Sequence, residues 1–112
     1  MPLNIFYIDD EKELLEVFSE MFSTNDVNIK TFTDPENALV EILKNPPDLI
    51  FLDYRLTNTT GDEVAKKINS NIPKVLLSGD LTVQLQSHFD ACFDKPYNIE
   101  AIQAYIDSRR IK

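Results

Sequence analysis

Short apolar runs and amphipathic stretches alternate five times along this chain, and that alternation narrows the fold more than any other feature. Residues 4–9, NIFYID, are apolar and aromatic-rich and predict a strand. Residues 12–22, KELLEVFSEMF, space Leu14, Leu15, Val17, Phe18, Met21 and Phe22 at helical period. NIKTFT, residues 28–33, alternates and predicts a strand with one wetter face. Asp34 then suits a helix N-cap and Pro35 the first helical position. Ala38, Leu39, Ile42 and Leu43 are the expected buried stripe of that helix, and Asn45-Pro46-Pro47 stops it. DLIFLD, residues 48–53, is continuously apolar until its last residue, as expected of a strand covered on both faces. YRLTNTTG (54–61) predicts a loop, DEVAKKINS (62–70) a short helix and PKVLLS (73–78) another buried strand. LTVQLQSHF (81–89) predicts a brief helix behind an Asp80 cap, and ACFDK (91–95) the last strand. The last helix, 99–110, has Asn98 as N-cap and Ile99, Ile102, Tyr105 and Ile106 as its core face.

Strict strand–helix alternation predicts an α/β fold: a five-stranded parallel sheet, doubly wound, with helices on both faces. Right-handed crossovers follow from strand twist. The 112 residues suit one domain, 1–112, with no room for a second, and 43% hydrophobic content is enough for a real core. A formal charge of −8 repels phosphate backbones, which argues against direct nucleic-acid binding. One cysteine, Cys92, and one histidine, His88, exclude an internal disulfide, a zinc site of ordinary ligand count and a nucleophilic triad. The first residues carry no basic leader and no long apolar run, so neither a signal peptide nor a membrane span is expected, and the cytoplasm is the default location.

In an open parallel sheet, ligands bind outside the carboxyl ends of the strands. Those ends hold Asp9 and Asp10 on the first strand, Asp53 on the third, Ser78 on the fourth and Lys95 on the fifth. Each alone has an ordinary reading. The Asp pair suits a turn or helix cap, Asp53 a loop, Ser78-Gly79-Asp80 a turn into a helix, and Lys95-Pro96 a strand end. Together they put three carboxylates, a hydroxyl and an ammonium on one rim. Clustered carboxylates repel unless a cation intervenes, and oxygen ligands alone favour Mg²⁺. A carboxylate flanked by a metal and a lysine can act as nucleophile toward a phosphoryl group, whose oxygens the metal, Lys95 and the Ser78 hydroxyl would hold.

The ordered set YIDD, LIFLDYRL, VLLSGD and CFDKP resembles the receiver domain of two-component response regulators over nearly the whole chain. The resemblance implies a flavodoxin-like sheet of order 2-1-3-4-5 and a stand-alone receiver. It implies Asp53 as phosphoacceptor, Asp10 as direct metal ligand, Asp9 assisting largely through water, and the Arg55 backbone carbonyl completing the metal shell. It also implies Ser78 as switch hydroxyl, Lys95 as phosphate-pairing lysine, a cis Lys95–Pro96 bond and Gly61 as loop glycine. The cofactor would be Mg²⁺, with Mn²⁺ able to substitute. The donor would be a sensor histidine kinase or a phosphotransfer protein, and the output contact with a downstream protein or a weak homodimer. Such a domain is not an enzyme beyond its own phosphotransfer and dephosphorylation.

The sequence departs from the family in places. The stretches from Gly61 to Ser78 and from Ser78 to Lys95 are short, which predicts stubby third and fourth helices. Thr57 stands where a proline is common, and Cys92 where the family carries Tyr or Phe. The first competing reading is a binding module that keeps the fold without phosphorylation. The other is an Asp-nucleophile phosphohydrolase, disfavoured because Arg55 occupies the place of its general acid.

Overall fold

A computed structural model describes residues 2–79, 89–96 and 98–110. The expected brief helix over 81–89, its Asp80 cap and His88 lie outside the described residues, apart from Phe89. The strands are β1 (Leu3–Ile8), β2 (Val27–Phe32), β3 (Leu49–Asp53), β4 (Arg55–Leu56), β5 (Thr59–Thr60), β6 (Lys74–Ser78) and β7 (Ala91–Asp94). The helices are α1 (Lys12–Phe22), α2 (Pro35–Lys44), α3 (Gly61–Ala65) and α4 (Ile99–Arg109). Five strands form one sheet of order β2-β1-β3-β6-β7, parallel throughout. This is the expected order, second-first-third-fourth-fifth among the long strands.

Period-two alternation divides the core in two. Ile5, Tyr7, Leu49, Phe51 and Leu77 pack under α1 and α4, through Leu15, Phe18, Phe22, Ile102 and Ile106. Phe6, Ile8, Ile50, Leu52 and Leu76 pack on the other face under α2 and α3, through Ala38, Ile42, Val64 and Ala65. All five residues of β3 are buried, which explains its unbroken apolar run. Of the three expected caps, the two that fall among the described residues are formed. Asp34 Oδ1 accepts from the Glu36 amide at 3.0 Å, and Asn98 Oδ1 from the Ala101 amide at 3.0 Å.

Several expectations need correcting. Leu43 is 85% exposed, so it leaves the expected stripe of α2: it follows buried Ile42 by one residue, a turn of roughly 100° about the axis. Ile99 is 50% exposed, at the first position of α4, ahead of the turn that meets the sheet. Cys92 is exposed, and alternation on β7 turns Phe93 inward against Tyr105. The stretch expected as a loop, 54–61, contains the two-residue antiparallel pair β4–β5, turned by Asn58 at φ 64°. Asn tolerates that left-handed geometry.

The third helix is shorter than the expected 62–70. After α3 the hydrogen bonds tighten to Lys67 N–H to Val64 O and Ile68 N–H to Ala65 O. Lys74, 1% exposed, then donates its ammonium to the carbonyls of Asn69 and Ile72, both at 2.9 Å. Burial lowers the Lys74 pKa, and Asp90 opposes this.

Candidate functional site

Parallel pairing sets the site. Ile8 is in register with Leu52, Asp53 with Leu77, and Ser78 with Asp94, so the ends of β1, β3, β6 and β7 lie side by side. The Lys95 amide extends the ladder by donating to the Ser78 carbonyl at 2.9 Å, and the Lys95–Pro96 bond is cis. Asp10, Asp53, Arg55, Ser78, Gly79 and Lys95 line a cleft at this edge.

Lys95 is the hub. Its ammonium lies 2.8 Å from Asp53 Oδ1 and 2.9 Å from Asp9 Oδ2. Burial works against the charged ammonium, but the hydrogen bonds and charges of Asp53 and Asp9 outweigh it, so the Lys95 pKa is raised. Asp53 is 7% exposed. Burial pushes its carboxyl up to about 6, with smaller upward contributions from Asp9 and Asp10 and a downward pull from Lys95.

The two acidic neighbours differ. Asp9 is wholly buried. Its Oδ1 accepts from the Glu11 amide at 2.9 Å, and its Oδ2 accepts from the Tyr7 hydroxyl at 2.6 Å as well as from Lys95. Asp9 therefore also serves the start of α1, where the Glu11 side chain makes no capping bond. Asp10 is exposed, and its Oδ2 accepts from Thr57 Oγ1 at 3.1 Å. Asp9, Asp10 and Asp53 each offer an oxygen, and these lie within 4.8 Å of one another. Hard anionic donors at that spacing fit Mg²⁺ or Mn²⁺ in kind.

Gly61 keeps the loop tight against the end of β3. A Cβ there would lie 2.5 Å from the Asp53 carbonyl oxygen, while the Gly61 amide donates to the Tyr54 carbonyl at 2.7 Å. Ser78, 3% exposed, ends β6 beside the acidic cluster. Arg55 has an exposed side chain on β4.

Every site residue expected from the sequence thus lies at one edge. Two contributors were not anticipated. Tyr7 reads as core packing, and its hydroxyl's role is signalled only by its place two residues before Asp9, on the same face of β1. Thr57 stands out only as a missing proline.

Among the described residues, no helix is long and apolar enough to cross a membrane. The family model for the response regulator receiver domain matches residues 5–107. Among curated relatives, "Probable transcriptional regulatory protein TcrX" of Mycobacterium tuberculosis is 28% identical over 109 residues, covering 90% of this chain and 47% of that protein. "Response regulator MprA" of Mycobacterium sp. (strain KMS) is 27% identical over 112 residues, covering 93% of this chain and 49% of that protein. The chain thus spans about half the length of these two relatives. The response regulator receiver domain (CheY-like) from Methylobacillus flagellatus superposes with a TM-score of 0.87 at 19% identity, covering 97% of this chain and 99% of that one. The corresponding protein from Methanospirillum hungatei JF-1 gives 0.88 at 18% identity, over 98% and 94%. At those identities the superpositions speak to fold alone. With the family model matched across both ends of the sheet and the fold matched over nearly the whole chain, this chain belongs to the receiver domain family of two-component response regulators.

Proposed function

We propose that the chain, as a single receiver unit over 1–112, accepts a phosphoryl group on Asp53 from the phosphohistidine of a sensor histidine kinase or a phosphotransfer protein. The observation that carries this reading is the Lys95 ammonium 2.8 Å from Asp53 Oδ1, at a strand end that also gathers Asp9 and Asp10. An Asp53 carboxylate oxygen attacks phosphorus, an acyl phosphate forms, and the P–N bond breaks with its electron pair returning to the donor imidazole. Later attack of water on phosphorus releases inorganic phosphate and restores the carboxylate.

Asp10, Asp53 and the Arg55 backbone carbonyl would hold Mg²⁺, or Mn²⁺ in its place, with Asp9 assisting through water. When bound, the metal neutralises charge on the transferring oxygens. Donors already on both Asp9 oxygens support giving Asp10 the direct role. Lys95 leaves the carboxylates to pair with the phosphoryl oxygens, and the Ser78 hydroxyl turns toward the same group. The output is a changed contact with a downstream protein, or with a second copy in a weak homodimer. The same reading puts the protein in the cytoplasm, where phosphohistidine donors are made from ATP.

The test is incubation with acetyl phosphate. Intact mass should rise by one phosphoryl group in Mg²⁺ and stay unchanged in EDTA. A folded protein that never takes label under either condition would support the competing binding-module reading.

A further inference from the structure

The Tyr7 hydroxyl is an unusual object in this core. Tyr7 and Asp9 are both 0% exposed, and the 2.6 Å bond between them is made inside the protein. The Tyr7 ring is fixed by packing on Phe18, centroid to centroid 4.5 Å, so the hydroxyl is aimed rather than free to search. Apolar packing alone would be met by a phenylalanine at this place. The oxygen it contacts, Asp9 Oδ2, is the same one that holds Lys95 at 2.9 Å.

We propose that Tyr7 is a positioning residue for Lys95. With the Tyr7 proton on Oδ2, Asp9 keeps a donor when Lys95 moves away, and it pulls less strongly on both Lys95 and a bound cation. Tyr7 thereby eases transfer of the Lys95 ammonium from Asp9 to a phosphoryl oxygen. It also leaves Asp10 as the stronger cation ligand. This inference rests on the phosphoacceptor reading.

The test is Tyr7→Phe, which keeps the ring and removes the hydroxyl. Mg²⁺ affinity, by titration calorimetry, should tighten by about threefold or more, because Oδ2 loses a competing donor. Affinity for beryllofluoride, a phosphoryl mimic measured at saturating Mg²⁺, should weaken by about threefold or more, because Asp9 holds Lys95 harder. In a Lys95→Ala background the beryllofluoride effect of Tyr7→Phe should vanish. A merely structural tyrosine would weaken both affinities together or change neither, and either outcome overturns the proposal.

A wild-type measurement stands beside the variant should it fold poorly. The Tyr7 hydroxyl proton, assigned through contacts to the Phe18 ring, should shift on beryllofluoride binding. An unmoved resonance overturns the role. Wild type that binds both Mg²⁺ and beryllofluoride while Tyr7→Phe behaves identically defeats the Tyr7 inference alone. Wild type that binds neither defeats the receiver reading with it.

Discussion

The Lys95 ammonium and the Asp53 carboxylate are paired at 2.8 Å across the ends of β7 and β3. The pair joins strands that are not neighbours, since β6 lies between them. Asp9 holds the other side of the same ammonium at 2.9 Å. Removing Lys95 therefore leaves two buried carboxylates facing each other without their cation. Lys95→Ala should lower stability in EDTA at neutral pH by about 3–5 kcal/mol, measured by urea denaturation. The variant should still label on Asp53 but show none of the wild-type NMR response to the phosphoryl group. A full response would remove Lys95 from the switch.

Stability should depend on pH through Asp53. Its folded carboxyl is raised from 3.8 to about 6, mainly by burial. A raised carboxyl binds its proton more tightly in the folded state. Its contribution to stability is thus present in full below about pH 4 and is lost as pH rises through about 6. The loss is at most about 3 kcal/mol at one pKa unit per 1.36 kcal/mol. Asp53→Asn should accordingly be more stable than wild type in metal-free buffer at pH 7.5. The gap should shrink between pH 7 and pH 4. A gap independent of pH would show that Asp53 does not titrate this way.

Asp10 should matter for metal more than for fold. It is exposed, its Oδ2 accepts from Thr57, and its charge is the smallest of the influences on Asp53. Asp10→Asn should weaken Mg²⁺ binding by about tenfold or more in calorimetry, with little change in stability in EDTA. Unchanged Mg²⁺ affinity would move the direct ligand elsewhere.

The α/β alternation was legible because its signals are local, whereas the order of the strands in the sheet came only from the family resemblance. The alternation of strand and helix, the Asp34 and Asn98 caps, and carboxylates at the ends of apolar runs each depend on a few neighbouring residues. What stayed hidden depends on contacts distant in sequence. The α2 stripe could be drawn through Leu43 because period alone does not locate the edge of the covering sheet. The shortening of α3 goes with a lysine nine residues beyond its end reaching back to loop carbonyls. Thr57 meets Asp10 across 47 positions, a contact no spacing rule reports. At β7, alternation puts Cys92 and Phe93 on opposite faces, but only the structure shows which of the two faces in. The family resemblance implies Ser78 as the switch hydroxyl. Shifts from a phosphoryl mimic should centre on Ser78 and Gly79 rather than on Cys92.

Gly61 is required by space, not by backbone conformation, since its φ is not in the left-handed region. Gly61→Ala places a methyl 2.5 Å from the Asp53 carbonyl oxygen, and either the start of α3 or the end of β3 must shift. The variant should lose about 1–3 kcal/mol in urea denaturation. Its labelling with acetyl phosphate should slow about tenfold or more, because the end of β3 that carries Asp53 moves. Wild-type stability and rate together would show that the loop yields without disturbing Asp53.

The most direct measurement locates the acyl phosphate itself. The protein is labelled with acetyl phosphate in Mg²⁺ and reduced with borohydride, which converts a phosphorylated aspartate to homoserine. Peptide mass mapping then finds the altered residue. Phosphorylation at Asp53 predicts homoserine at position 53 in the wild type and no conversion in Asp53→Asn. Conversion at another carboxylate, or undiminished stable label in Asp53→Asn, would contradict it.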